Sequence, residues 1–252
     1  MNSTAARVAK GVIRMPVASA IQSEMPFAHQ FPHCPAPAIM ASPRPEHAGK
    51  LTVVLDIDET LIHTDMQGAL DMRYKNNSEA AQAKAGQVTS EHFHIDLDDY
   101  RIKVYKRPHL EWFLKEASAK FELVTFTAGE QHYGSTVLGN IDPHQTLIKH
   151  RFFRHNCTQL GDHLYTKDLS NLNRPLSRVV LVDNNPICFL PNPENGVPVN
   201  SFYAQEEDTT LKSLMAFLDH LNGHVDVRPV LQQQFRLKER LGLHYGTVAA
   251  KL

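Results

Sequence analysis

Three short apolar runs constrain the fold more than anything else in this chain: LTVVLDI at residues 51–57, ELVTFT at 122–127 and RVVLVD at 178–183. Each is continuous and rich in β-formers rather than alternating, which is the pattern of a strand buried on both faces. Helical patterns separate them. Pro108 stands where a first-turn proline opens a helix through Leu110, Phe113 and Leu114, and a second helix is expected over 130–140. Leu211, Leu214, Met215, Leu218 and Leu221 form a helical stripe, and residues 230–242 read as a final basic amphipathic helix. Strands alternating with helices predict an α/β fold, a parallel sheet wrapped by helices. Residues 94–105 alternate about Asp98-Asp99, the pattern of a small β-hairpin insertion, and residues 65–91 read as a polar loop or weak helix.

In such a sheet, ligands bind beyond the carboxyl ends of the strands. The three runs end there in Asp56-Ile-Asp58-Glu-Thr60, in Thr127, and in Asp183-Asn184. Carboxylates placed directly after a buried strand are costly unless they bind a cation or accept hydrogen bonds. Asp56, Asp58, Asp183 and Asn184 offer hard oxygen ligands suited to Mg2+, while Thr127 and Lys167 offer a hydroxyl and a cation suited to phosphoryl oxygens. A DxDxT run alone is equally well a strand-end turn. Three strand ends carrying complementary groups favour a site.

The segments DIDETLIHT, YKRPHLEWFL, LVTFTAG, YTKDLSNL, RVVLVDNNP and DVRPVL, in this order, resemble phosphatases of the haloacid dehalogenase superfamily. The branch is the one acting on the C-terminal domain of RNA polymerase II and related phosphoproteins. The resemblance spans residues 51 to about 230. It implies a Mg2+-dependent phosphoserine/phosphothreonine protein phosphatase working through an aspartyl-phosphate. Asp56 is then the nucleophile and Asp58 the general acid, later base, whose backbone carbonyl also faces the metal. Asn184 with Asp183 completes the Mg2+ site, and Thr127 and Lys167 hold the phosphoryl group. The chain departs from the family pattern in a longer stretch between Thr64 and His94, in Ala-Gly-Glu-Gln-His after Thr127, and in Asn185 where serine is more frequent. A mitochondrial translocase receptor built on the same domain is the alternative, a non-enzymatic interaction module. A small-molecule phosphatase is disfavoured because the hairpin is too short to form a cap.

The chain has 26 basic and 27 acidic residues, so nothing predicts bulk attraction to nucleic acid or to anionic lipid. Its apolar runs are too short to span a bilayer. Cys34, Cys157 and Cys188 are odd in number and widely spaced, which excludes a disulfide scaffold and points to a reducing compartment. Six of fifteen prolines fall between Pro26 and Pro45, so residues 1–49 are expected to be a disordered leader or targeting segment, followed by a catalytic domain over 50–230 and a helix and tail over 231–252. The basic start, without an acid before Glu24, resembles a mitochondrial transit peptide, whereas the rest favours cytoplasm or nucleus. The expected partner is a phosphopeptide substrate, and the expected state a monomer. Trp112 is expected in the core, and Arg101 and Lys103 are candidates to bind acidic neighbours of the phosphate. His92 and His94 share a strand face without zinc-like partners, and Cys188, close to Asp183, is a candidate for oxidation.

Overall fold

The computed structural model describes residues 38–66 and 90–243. The three apolar runs form β1 (Thr52–Leu55), β5 (Glu122–Phe126) and β9 (Val179–Asp183), every residue of which is buried. They pair in parallel, Leu55 lying opposite Thr125 on one side and Val182 on the other. Two short strands, β6 (His150–Phe152) and β10 (Gly196–Pro198), complete a five-stranded sheet in the order β10-β9-β1-β5-β6. Because the register is nearly flush, the polar residues that follow β1, β5 and β9 emerge at one edge.

Helix α1 (Leu110–Lys120) and helix α3 (Thr210–Asn222) pack against each other and are joined by the Lys120–Asp219 ion pair. The predicted stripe of α3 is fully buried. Helix α2 (Gln131–Ile141) follows β5, as the periodicity predicts. A separate antiparallel sheet, in the order β2-β4-β3, holds β3 (His92–Leu97) and β4 (Tyr100–Lys106), the hairpin expected at Asp98-Asp99. Its third strand, β2 (Ile62–Asp65), was not legible in the sequence, since four residues are too few to establish a period of two. A small ribbon pairs β7 (Thr158–Gly161) with β8 (Leu164–Thr166), which leads into Lys167.

Several expectations need correction. Pro108 lies ahead of α1 rather than in its first turn. His109 takes a left-handed backbone (φ 71°) and sets the helix start at Leu110. Trp112 is 44% exposed. The buried face of α1 is Leu110, Phe113, Leu114 and Ala117, and a residue two after Leu110 points some 200° around the helix from it. The final helix is two pieces, α4 (Arg228–Phe235) and α5 (Leu237–Arg240), broken where Arg236 turns left-handed. Both pieces belong to the domain, because Leu231, Phe235 and Leu237 are buried.

The leader boundary at 49 also moves. Met40 is 4% exposed, the Ile39 amide donates to the Asn171 carbonyl, and Arg174 donates to the Ala41 carbonyl. Residues 39–41 and His47 therefore pack on the domain, at the end of the sheet opposite the polar strand ends, while residues 42–46 are exposed. Arg174 is anchored there by a two-pronged ion pair with the buried Glu122. Most of the predicted leader, residues 1–37, and most of the predicted 65–91 loop lie outside the described residues.

Candidate active site

All six residues singled out in the sequence, Asp56, Asp58, Thr127, Lys167, Asp183 and Asn184, line one cleft of about 540 Å3. The sheet places Asp56 directly. Its amide continues the β1–β9 ladder by donating to the Val182 carbonyl. The chain then leaves the sheet in a turn in which Glu59 takes a left-handed backbone (φ 55°), a conformation rare for a residue with a side chain. Asp58, at the start of that turn, lines the same cleft as Asp56.

Lys167 is the hub. It is 1% exposed, and its Nζ lies 2.6 Å from Asp56 Oδ1 and 2.6 Å from Asp183 Oδ2. Burial would lower its pKa, but Asp183 and Asp56 outweigh burial and hold it charged. Burial raises the Asp56 carboxyl, Lys167 opposes that, and Asp183 and Asp58 reinforce it. Asp56 Oδ2 receives no hydrogen bond from any described residue. Asp183 is differently used: Oδ2 takes Lys167, and Oδ1 accepts from the Asn185 amide at 2.7 Å. Asn184 is fixed by Nδ2 donating to Ser201 and by Oδ1 accepting from the Thr60 hydroxyl at 3.2 Å.

Asp58 is held at both oxygens. Tyr133 donates to Oδ1, and the Thr127 hydroxyl, itself accepting from the Gly129 amide, donates to Oδ2 at 3.3 Å. Burial is the largest influence on this carboxyl and raises its pKa, against the lowering effect of the Tyr133 and Thr127 hydrogen bonds.

Two buried carboxylates, Asp56 and Asp183, thus share a single lysine, with the half-buried Asp58 beside them. No three His, Cys or acidic side chains among the described residues form a self-sufficient metal cage. The donors suit Mg2+ nonetheless, since this ion keeps several waters and takes only one or two carboxylates. The excess of negative charge over one lysine is what a divalent cation would satisfy.

Tyr133 and Arg154 also line the cleft, and sequence reasoning missed both. Arg154 donates to the Ala128 carbonyl and to Glu130, and lies over the Tyr165 ring. Neither belongs to a recognisable run. Their distance in sequence from Asp58 hid them, although the position of Tyr133 early in the helix after Thr127 was a usable clue.

Two sequence candidates fall away from the cleft. Arg101 and Lys103 alternate with the buried Ile102 and Val104 and so occupy the outer face of the hairpin, where Lys103 lies over Tyr105. His92 and His94 share that exposed face and meet edge to face. Cys188 lines the cleft and is 3% exposed, and burial and the nearby Asp183 raise its thiol above the usual range, which disfavours the thiolate.

A parallel α/β sheet with a carboxylate pair after β1, a hydroxyl after β5 and a lysine bridging two aspartates defines a phosphoryl-transfer architecture. The family model for NLI interacting factor-like phosphatases matches residues 51–228. Over 183 residues the chain is 36% identical to CTD nuclear envelope phosphatase 1B of Danio rerio, covering 72% of this chain and 71% of that one. It is likewise 36% identical over 197 residues to the CTD nuclear envelope phosphatase 1 homolog of Caenorhabditis elegans, covering 77% and 76%. A probable C-terminal domain small phosphatase of Dictyostelium discoideum is 34% identical over 75% of this chain and 56% of its own. The chain belongs to the NLI interacting factor-like phosphatase family, within the haloacid dehalogenase superfamily, and is a protein phosphatase. These relatives give no support to the translocase-receptor alternative.

Proposed function

We propose that this phosphatase hydrolyses phosphoserine and phosphothreonine in proteins, with Mg2+ and through an aspartyl-phosphate on Asp56. The observation that carries this reading is the contrast in how two neighbouring carboxyls are held. Asp56 is clamped through one oxygen by Lys167, with its other oxygen unpartnered among the described residues, while Asp58 is held at both oxygens by the hydroxyls of Tyr133 and Thr127. One is fitted to attack and the other to carry a proton.

In the first step Asp56 Oδ2 attacks phosphorus, the bond from phosphorus to the seryl or threonyl oxygen breaks, and Asp58 gives that oxygen its proton. In the second step Asp58, now a carboxylate, takes a proton from water as the water attacks phosphorus and the bond to Asp56 breaks. Inorganic phosphate leaves, and Asp58 is again protonated. Lys167 keeps Asp56 in place and faces the negative charge spread over the phosphoryl oxygens. The Thr127 hydroxyl is a further donor to those oxygens. Mg2+, held by the Asp56 carboxylate, the Asp58 backbone carbonyl and Asn184, would supply electrostatic stabilisation of the charge on phosphorus. Asp183, both of whose oxygens are engaged, supports the metal site by fixing Lys167 and balancing its charge.

Among the described residues no helix is long and apolar enough to cross a membrane. Since the relatives above include proteins named for the nuclear envelope, we place the activity in the nucleus or cytoplasm, at or near that membrane. Mg2+-dependent turnover of a phosphoserine peptide, abolished in Asp56→Asn, tests the enzymatic reading. No turnover of any phosphoester with Mg2+ present would overturn it.

A further inference from the structure

We infer that Tyr133 is the positioning residue of the acid–base carboxyl, and that Gly129 is there to seat it. The inference rests on the assignment of Asp58 as general acid. A tyrosine hydroxyl carries one proton, and here it is donated to Asp58 Oδ1. The Thr64 hydroxyl, 2.6 Å away, is therefore the donor to Tyr133 Oη. The result is a chain of hydroxyls running from β2 on one wall of the cleft to α2 on the other, with Asp58 at its end. With Oδ1 committed to Tyr133, the proton that Asp58 transfers rides on Oδ2, beside the rotatable Thr127 hydroxyl. The carboxyl is thereby held in a single orientation, the condition a general acid needs to meet the departing oxygen.

The loop is built around this ring. A Cβ added at Gly129 would stand 3.1 Å from the Tyr133 ring and 3.1 Å from Thr127 Oγ1, tighter than side chains normally tolerate. The Gly129 amide is also the donor that fixes Thr127. Gly129 lies in the Ala-Gly-Glu-Gln-His run in which the chain departs from the family pattern. A glycine there lets the ring lie against the loop, so that the hydroxyl arrives at Asp58. Gly134, one residue after Tyr133, is more crowded still, its Cβ position lying 2.9 Å from the Phe153 ring.

The test uses two substrates that differ in their need for a proton: a phosphoserine peptide, whose alkoxide is a poor leaving group, and p-nitrophenyl phosphate, whose phenolate leaves readily. Tyr133→Phe keeps the ring and removes the hydroxyl. It should reduce kcat on the peptide about tenfold to hundredfold, the scale on which a misplaced catalytic group costs rate. KM should stay within about twofold, and the pre-steady-state burst of p-nitrophenolate, which reports the first step alone, should slow far less. Thr64→Val and Gly129→Ala should show the same contrast more weakly, whereas Gly139→Ala, on the same helix with open space at its Cβ, should behave as wild type. Equal losses of Tyr133→Phe on both substrates, or a loss in KM alone, would overturn the positioning role. Asp58→Asn is the reference. If it lacks the contrast, the general-acid assignment fails; if it shows the contrast and Tyr133→Phe does not, the positioning role alone fails. Thermal melting of each variant separates misfolding from either result.

Discussion

Replacing Arg107 by methionine removes a buried strut that the reaction never touches. The Arg107 side chain is wholly buried. It donates to Asp208 through Nε at 3.0 Å and through a terminal nitrogen at 2.8 Å, to the carbonyls of Thr60 and Asn200 at 2.9 Å each, and to the Thr210 hydroxyl at 2.8 Å. These partners come from the turn that carries Asp58, from the loop after β10 and from the start of α3. Methionine fills similar volume but donates nothing. The Thr60 carbonyl then loses the Arg107 donor, at about 1–3 kcal/mol if left unsatisfied, and Asp208 keeps only Thr210. Breaking a buried pair from one side costs about 3–5 kcal/mol. In a domain of this size each kcal/mol moves the midpoint by about 2–4 °C, so Tm should fall by about 6–20 °C. Asp208→Asn in the same chain should recover part of the loss, because it removes the stranded charge.

The effect has a pH signature. Burial would raise the Asp208 carboxyl, but Arg107 outweighs burial and holds it below its ordinary value of 3.8. A carboxyl depressed on folding stabilises fully above its unfolded pKa, and that stability is lost as pH falls through the folded value. The gap in Tm between wild type and Arg107→Met should therefore narrow below about pH 4. Scanning calorimetry at neutral and acid pH measures both quantities. A variant melting within about 2 °C of wild type, or a gap unchanged by acid, would refute the reasoning.

Asp56→Asn should retain the wild-type Tm while turnover falls at least about a thousandfold, since nucleophile, acid and metal donors work as a unit; a steady-state assay with Mg2+ measures this. A chain beginning at Ala48 should melt several degrees below one beginning at residue 38, because it loses the buried Met40, worth about 1.5–3 kcal/mol, and the bond from Ile39 to Asn171. The open cleft should favour phosphopeptides over sugar phosphates by at least about tenfold in kcat/KM, equivalent to roughly 1.4 kcal/mol, and a substrate panel with nucleotides included reads this directly. Equal turnover of a sugar phosphate would return the chain to the small-molecule class.

The sequence by itself determined the central strands and the chemistry at their ends. Burial on both faces leaves a strand no choice but a continuous apolar run, so β1, β5 and β9 were visible as composition, and polar groups set directly after all three runs stand out because each is costly there without a cation or a hydrogen-bond partner. The stripe of α3 and the hairpin at Asp98-Asp99 were visible through periodicity, since each repeats a period over enough residues to register. What the sequence could not carry were contacts between residues far apart in the chain. Whether Trp112 faces in or out depends on where α1 lies against α3. That Lys167 bridges Asp56 and Asp183, 111 and 16 residues away, depends on the turn after β8. That Tyr133 reaches Asp58 depends on the absence of a side chain at Gly129. Local pattern is written by burial, which acts residue by residue. The pairing of a hydroxyl with one particular carboxyl is decided only when packed elements bring them within hydrogen-bond distance, and only the tertiary structure does that.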